Sequence, residues 1–204
     1  VEVTLYTSPA LFDELESEWN ALLADSKADC IFLTYQWQSC WWDAYRPGDI
    51  WALAVRDGGE LVGLAPWFVR PEGGGRRVVR AIGCVDVTDY LEVIARNGRE
   101  REVFEAMARF IAAHGEDYDD IRLCNVPEAS LTMQMLPDVF RENGFDVEVT
   151  FQEVCPIITL PDTFEAFIAG LSKKDRHELR RKLRRAAAGA VDWHIVGDQC
   201  DLNA

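Results

Sequence analysis

Residues 172–185, SKKDRHELRRKLRR, hold eight Lys or Arg against two acids, a local net of +6. The whole chain carries 21 Lys or Arg and 35 Asp or Glu, so an acidic protein gathers over a third of its positive charge there, on about four turns of helix. Arg176, Arg180 and Arg184 recur at i, i+4 and i+8 and form one stripe. A guanidinium offers forked donors that match phosphate or carboxylate. Like charges at that spacing repel, so a bound anion would relieve a cost. A solvated face that pairs with the chain's own acids accounts for the same residues. Binding to a membrane surface is not expected, because Leu179, Leu183 and Ala186 supply an apolar side without bulky aromatics.

Two other groups of residues could do chemistry. Trp37 and Trp41 share a helix face with Trp42 beside them, which suits a stacking platform for a sugar or a base, or ordinary core packing. Asp86, Asp89 and Glu92 bracket Thr88 and Tyr90. A carboxylate here could act as a general base, or could simply solvate the turn before a strand. No metal is expected, since His114, His177 and His194 lack ligand spacing and the six cysteines form no CxxC pair. The GxSxG, HExxH and Walker patterns do not occur. Arg70-Pro-Glu-Gly73-Gly-Gly75 matches R-x-x-G-x-G, the pyrophosphate loop of acetyl-CoA-dependent N-acetyltransferases. That loop needs a helix behind it, whereas residues 76–80 read as a strand, so a hairpin loop is expected instead.

The elements that must position these groups follow from pattern and punctuation. Strands are expected over 2–6, 50–56, 60–70, 76–82, 90–95, 119–125, 147–151, 155–160 and 190–196. Asp57-Gly58-Gly59 marks a hairpin between the second and third of these. Helices are expected over 9–23, from a Thr34 cap through Trp42, over 99–114 and 130–143, from Asp162 or Thr163 to Gly170, and from Ser172 onward with Asp175 completing a capping box. The result is a mixed α/β or α+β domain with much local antiparallel pairing, in a chain of 204 residues that can bury a sizeable core. A net charge of −14 argues against general nucleic-acid binding by the whole surface and leaves room for a local basic site. Scattered cysteines in apolar runs point to a reducing cytosol and no disulfide. No apolar run is long enough for a membrane span. The chain begins at Val1 and stops about eight residues after its last expected strand, which reads as a piece of a longer protein.

The order of motifs resembles a known family. Phe32-Leu-Thr-Tyr-Gln-Trp37 followed by Trp41 and Trp42, Leu61-Val-Gly-Leu-Ala-Pro66, Ile82-Gly83 with Thr88-Asp89-Tyr90, and Leu171-Ser-Lys-Lys-Asp-Arg176 with Leu179, Arg180, Arg181, Arg184 and Arg185 together resemble the GNAT-like family that includes the CelD-type cellulose-biosynthesis proteins. The Fem aminoacyltransferases look like more distant relatives. The resemblance implies a GNAT-like, largely antiparallel sheet flanked by helices, with residues 1–170 a degenerate N-terminal domain. Residues 171–204 would be a basic helix and strand leading into a second, acyl-donor domain in cis. It implies transfer of an acyl group from acetyl-CoA or another acyl-CoA co-substrate, bound in the full-length protein, to an amine in cytoplasmic polysaccharide or cell-envelope biosynthesis. Substrate contacts are then expected from Arg176, Arg180, Arg184, Asp89, Tyr90 and Trp37, with no nucleic-acid or membrane partner. The alternative is a non-catalytic module that holds an anionic partner or a glycan through the basic helix or the Trp cluster.

Overall fold

The computed structural model describes residues 1–84 and 87–189, and the chain divides into two compact units, Val1–Gln152 and Glu153–Ala204. The first unit begins with β1 (Glu2–Tyr6), α1 (Ala10–Ala24) and α2 (Tyr35–Tyr45), then β2 (Asp49–Ile50), β3 (Ala52–Asp57), β4 (Glu60–Ala65), β5 (Trp67–Pro71) and β6 (Arg77–Ala81). It continues with β7 (Ile94–Ala95), α3 (Glu100–Ala113), β8 (Asp120–Ile121) and α4 (Leu131–Glu142). One sheet runs β1-β3-β4-β7 with every pairing antiparallel. The other runs β2-β5-β6-β8, antiparallel except for the parallel β6–β8 pair. The expected mixed α/β, largely antiparallel architecture is therefore present.

Two of the expected strands each divide between the sheets. The strand expected over 60–70 is cut at Pro66, which has no N–H to give to a ladder; β4 ends before it and β5 begins after it. The strand expected over 50–56 divides at Trp51, whose N–H donates to the Trp67 carbonyl at 3.0 Å. Both segments thus pass from one sheet to the other at the same level, where Trp51 and Trp67 are joined.

The core lies under α1 and α3. α1 buries Leu11, Leu15, Trp19, Leu22 and Leu23, and α3 buries Val103, Phe104, Met107 and Ile111. The helical period of these apolar residues dictates which face turns inward. Close approach of α3 to the sheet depends on Gly63 in β4, because a Cβ there would sit 2.4 Å from Val103 Cγ1. The β3–β4 turn is the expected one: Gly58 and Gly59 both hold positive φ, 55° and 92°, as a tight hairpin requires.

Several expectations are corrected. Among the described residues no strand covers 147–151 or 155–160. Val147 packs at the edge of the core, but most of the other apolar side chains lie open, with Phe151 82 % and Ile157 84 % exposed. The strands expected over 90–95 and 119–125 shrink to two residues each, β7 and β8. The strand expected over 190–196 lies outside the described residues. Cys84 and Cys124 form a disulfide, contrary to the reading of six reduced cysteines. The parallel β6–β8 pairing brings these two residues, 40 apart in sequence, to a Cα separation of 6.0 Å, and no local pattern announces that pairing. The cytosolic expectation loses the ground it drew from reduced cysteines.

The second unit contributes α5 (Phe164–Gly170) and the basic helix α6 (Lys173–Ala188). Ser172 caps α6 as expected: its Oγ accepts the Asp175 N–H at 3.2 Å and donates to the Asp175 carboxylate at 2.7 Å. No side chain of α6 is buried.

Candidate functional site

The segment between β6 and β7 carries the residues of interest, and the fold pins it at several points. Gly83 stands at φ +104°, where a Cβ would meet Leu91 Cδ2 at 2.9 Å, so the turn out of β6 requires glycine. The Asn125 side chain donates to the Thr88 carbonyl at 2.6 Å, and the Leu91 N–H donates to the Asn125 carbonyl at 2.9 Å. The Cys84–Cys124 disulfide closes the same junction. Asn125 itself is held in a left-handed conformation, φ 57°, with its N–H and side chain both bonded to Gln152.

Trp37 and Tyr90 meet at this corner. Trp37 Nε1 donates to Thr88 Oγ1 at 3.2 Å, and the Phe32 ring lies edge-on between Trp37 at 4.9 Å and Tyr90 at 6.1 Å. Trp37 is half-buried, whereas Trp41 and Trp42 are buried and serve the core. Asp89 is exposed beside them, and Asp86 lies outside the described residues. Arg176, Arg180 and Arg184 lie on α6 in the other unit. Arg176 donates to the Leu171 carbonyl at 3.2 Å, and Arg181 is engaged by Glu178. Among the described residues no carboxylate pairs with Arg180 or Arg184.

Of the two described carboxylates flanking the turn, Asp89 and Glu92, it is Glu92 that has the environment chemistry requires. It is half-buried just before β7, against the N-terminus of α4. Burial is the dominant influence and pushes its carboxyl up to about 6, while hydrogen bonds from Ser130 and Thr132 pull the other way. Those two hydroxyls are aimed by the backbone. Ser130 Oγ accepts the Met133 N–H at 3.1 Å as the α4 cap, and Thr132 Oγ1 accepts the Val93 N–H at 3.2 Å. Each hydroxyl proton is then free to point at the carboxylate. Glu92 also lines two cavities, one bordered by Lys27, Glu100 and Phe104, the other by Trp67, Leu123 and Cys124. Each holds about 10 Å³, the room of one water molecule. A carboxyl poised near neutrality with a water-sized space at hand can take a proton directly or through one water.

The loop from β7 into α3 has the strand–loop–helix order that a pyrophosphate site uses, but the wrong charge. Glu100 and Glu102 occupy the first turn of α3 and already satisfy its positive end. The loop arginines are spent as well: Arg99 pairs with Asp57 at 2.9 Å and Glu102 at 2.7 Å, and Arg96 with Glu60 at 2.7 Å. The R-x-x-G-x-G stretch at 70–75 forms the β5–β6 hairpin as expected, with no helix behind it. Among the described residues no group of His, Cys, Asp and Glu could hold a metal ion, and no helix is long and apolar enough to cross a membrane.

No protein-family model matches the chain, and no curated protein matches it. Solved structures with a similar arrangement of elements include the ribosomal-protein-alanine N-acetyltransferase of Brucella melitensis biovar Abortus 2308, 15 % identical, covering 76 % of this chain and 99 % of its own, with a TM-score of 0.46. An acetyltransferase of Trypanosoma brucei is 14 % identical over 76 % of this chain and 100 % of its own, TM-score 0.46. An aminoglycoside acetyltransferase from an uncultured soil metagenomic sample is 16 % identical over 78 % of this chain and 100 % of its own, TM-score 0.44. Likeness at this level assigns neither activity nor substrate.

Proposed function

We propose that this chain handles the acceptor in an N-acyltransferase reaction, with Glu92 as the general base. The observation that carries the reading is the half-buried Glu92 carboxyl, raised to about 6 between two aimed hydroxyls. In the reaction an ammonium group gives a proton to Glu92, the free amine attacks the carbonyl carbon of an acyl-CoA thioester, a C–N bond forms, and the C–S bond breaks as CoA leaves as the thiol, its sulfur taking the second proton lost from the nitrogen. Such direct attack asks for a base and good positioning rather than a covalent nucleophile. Trp37, Asp89 and Tyr90 contact the acceptor, which suits an amine of polysaccharide or cell-envelope synthesis in the cytosol, and Arg176, Arg180 and Arg184 on α6 supply guanidinium donors for an anionic substrate group.

The acyl donor binds to a second GNAT-like domain of the same polypeptide, with the basic segment from 171 onward leading into it. Two features support this division of labour. The acids at the start of α3 disfavour a pyrophosphate there. In the second unit the apolar side chains of Val154, Ile157, Ile158 and Leu160 are open to solvent, as suits residues that another domain covers.

The test is acyl transfer from acetyl-CoA to a panel of amines by the full-length natural protein. Glu92→Gln is expected to lower kcat/KM by about 10²–10⁴. Arg180→Gln with Arg184→Gln is expected to raise KM with little change in kcat. An unimpaired Glu92→Gln enzyme removes Glu92 from the reaction. Acceptor binding without transfer from any CoA thioester replaces the enzyme with the non-catalytic binding module.

A further inference from the structure

The β5–β6 hairpin carries a cluster that the acyl-transfer reading does not use. Three guanidiniums converge on the single carboxylate of Glu72. Arg80 reaches its Oε1 through Nη2 at 2.7 Å and Nε at 2.8 Å, and Arg70 reaches the same oxygen at 3.1 and 3.2 Å. Arg122 at the end of β8 approaches Oε2 at 3.3 Å. Close by, Asp120 pairs with Arg122 at 2.7 Å and with Arg76 at 3.6 Å, and Asp119 pairs with Arg77 at 3.7 Å. Five arginines thus face three carboxylates, in a chain whose net charge is −14. Among the described residues, Glu72 is the only carboxylate paired with Arg70 or Arg80.

One carboxylate is a poor match for this set. It brings a single negative charge, and its Oε1 serves two guanidiniums at once. A phosphoryl group brings up to two charges and three oxygens, and guanidinium forks suit it in geometry. The Glu72 backbone is fixed in the hairpin, its N–H donating to the Arg76 carbonyl at 2.7 Å and its carbonyl accepting the Gly75 N–H at 3.0 Å, so a ligand need displace only the side chain. The tip beyond it is open, since a Cβ added at Gly73, Gly74 or Gly75 would meet nothing within 4 Å.

We propose that Arg70, Arg80 and Arg122 form a phosphoryl-binding site, and that Glu72 occupies it in place of the ligand and gives way when the ligand arrives. The site is separate from Glu92 and does not depend on the acyl-transfer reading. Its ligand is a phosphate or pyrophosphate group, carried by a soluble small molecule or by a lipid headgroup.

The test is isothermal titration of inorganic pyrophosphate at low salt, in protein carrying Arg180→Gln and Arg184→Gln so that α6 contributes little. Removing the competing charge with Glu72→Gln is expected to tighten binding by about tenfold, and adding Arg80→Gln is expected to return it to or below the starting affinity. Side-chain NMR of the same Arg180→Gln, Arg184→Gln protein, with Glu72 and Arg80 intact, guards against a folding defect: Arg70, Arg80 and Arg122 Nε–H signals should shift on titration and other arginines outside α6 should not. Vesicles of phosphatidylcholine with and without phosphatidic acid form the lipid arm. Selective binding there with none to pyrophosphate names the headgroup as the source, and the converse names a soluble ligand. Absence of binding in both arms, or a Glu72→Gln affinity no tighter than the parent's, overturns the proposal.

Discussion

Replacing Glu92 with Gln should stabilise this protein at neutral pH and do little in acid. In the folded chain the Glu92 carboxyl titrates near 6 rather than 4.5, because burial disfavours its charge. A group whose folded pKa is raised lends stability fully below its unfolded pKa and loses it as pH climbs through the folded one. The window is therefore pH 4.5 to about 6. A shift of that size corresponds to about 2 kcal/mol at 1.36 kcal/mol per unit. The side chain is only half-buried, and solvent screening cuts this to about 1 kcal/mol. Gln cannot ionise, so its variant escapes the loss. The measurement is urea denaturation of both proteins at half-unit steps from pH 4 to 8. Taking the difference between them cancels the paired carboxylates of Glu18, Glu60 and Glu72, whose pKa values lie below normal in both. The difference should grow in favour of the variant by about 1 kcal/mol across the window and stay flat above pH 7. A difference that is flat throughout, or grows the other way, refutes a buried, raised Glu92.

Two further outcomes follow from the fold. Gly63→Ala drives a methyl into Val103 Cγ1 and should cost about 1–3 kcal/mol by thermal denaturation, largely recovered when Val103→Ala is added; a neutral single variant contradicts the close seat of α3 on β4. The Cys84–Cys124 bridge closes a 40-residue separation and should stabilise by up to about 4 kcal/mol. Non-reducing alkylation of the unfolded protein should label Cys30, Cys40 and Cys155 and spare Cys84 and Cys124, while labelling of Cys84 without reductant contradicts the bridge.

What could be read in the sequence was local. Helix starts were legible because a hydroxyl three residues ahead of a free N–H announces them: Thr34 takes the Trp37 N–H, Ser130 the Met133 N–H and Ser172 the Asp175 N–H. The Asp57-Gly58-Gly59 hairpin was legible for the same reason, since few residues tolerate its backbone. Non-local pairing was not. The switch of sheets at Trp51 and Pro66, the disulfide and the shortness of β7 and β8 all depend on which strand lies beside which. The alternation over 147–160 is genuine, but no described strand takes it up. At the candidate site, Glu92 was visible as one of three acids. Its selection over Asp89 came from burial against Ser130 and Thr132, some forty residues on. The arginines around Glu72 were hidden too, because Arg122 reaches them only through the parallel β6–β8 pair.

The most direct test of the central claim is the pH dependence of kcat/KM for acyl transfer by the full-length protein. With Glu92 as the base, the rate should rise with pH through an inflection near 6, and Glu92→Gln should lose both most of the rate and that inflection. An inflection that survives unchanged in Glu92→Gln, at undiminished rate, contradicts the mechanism.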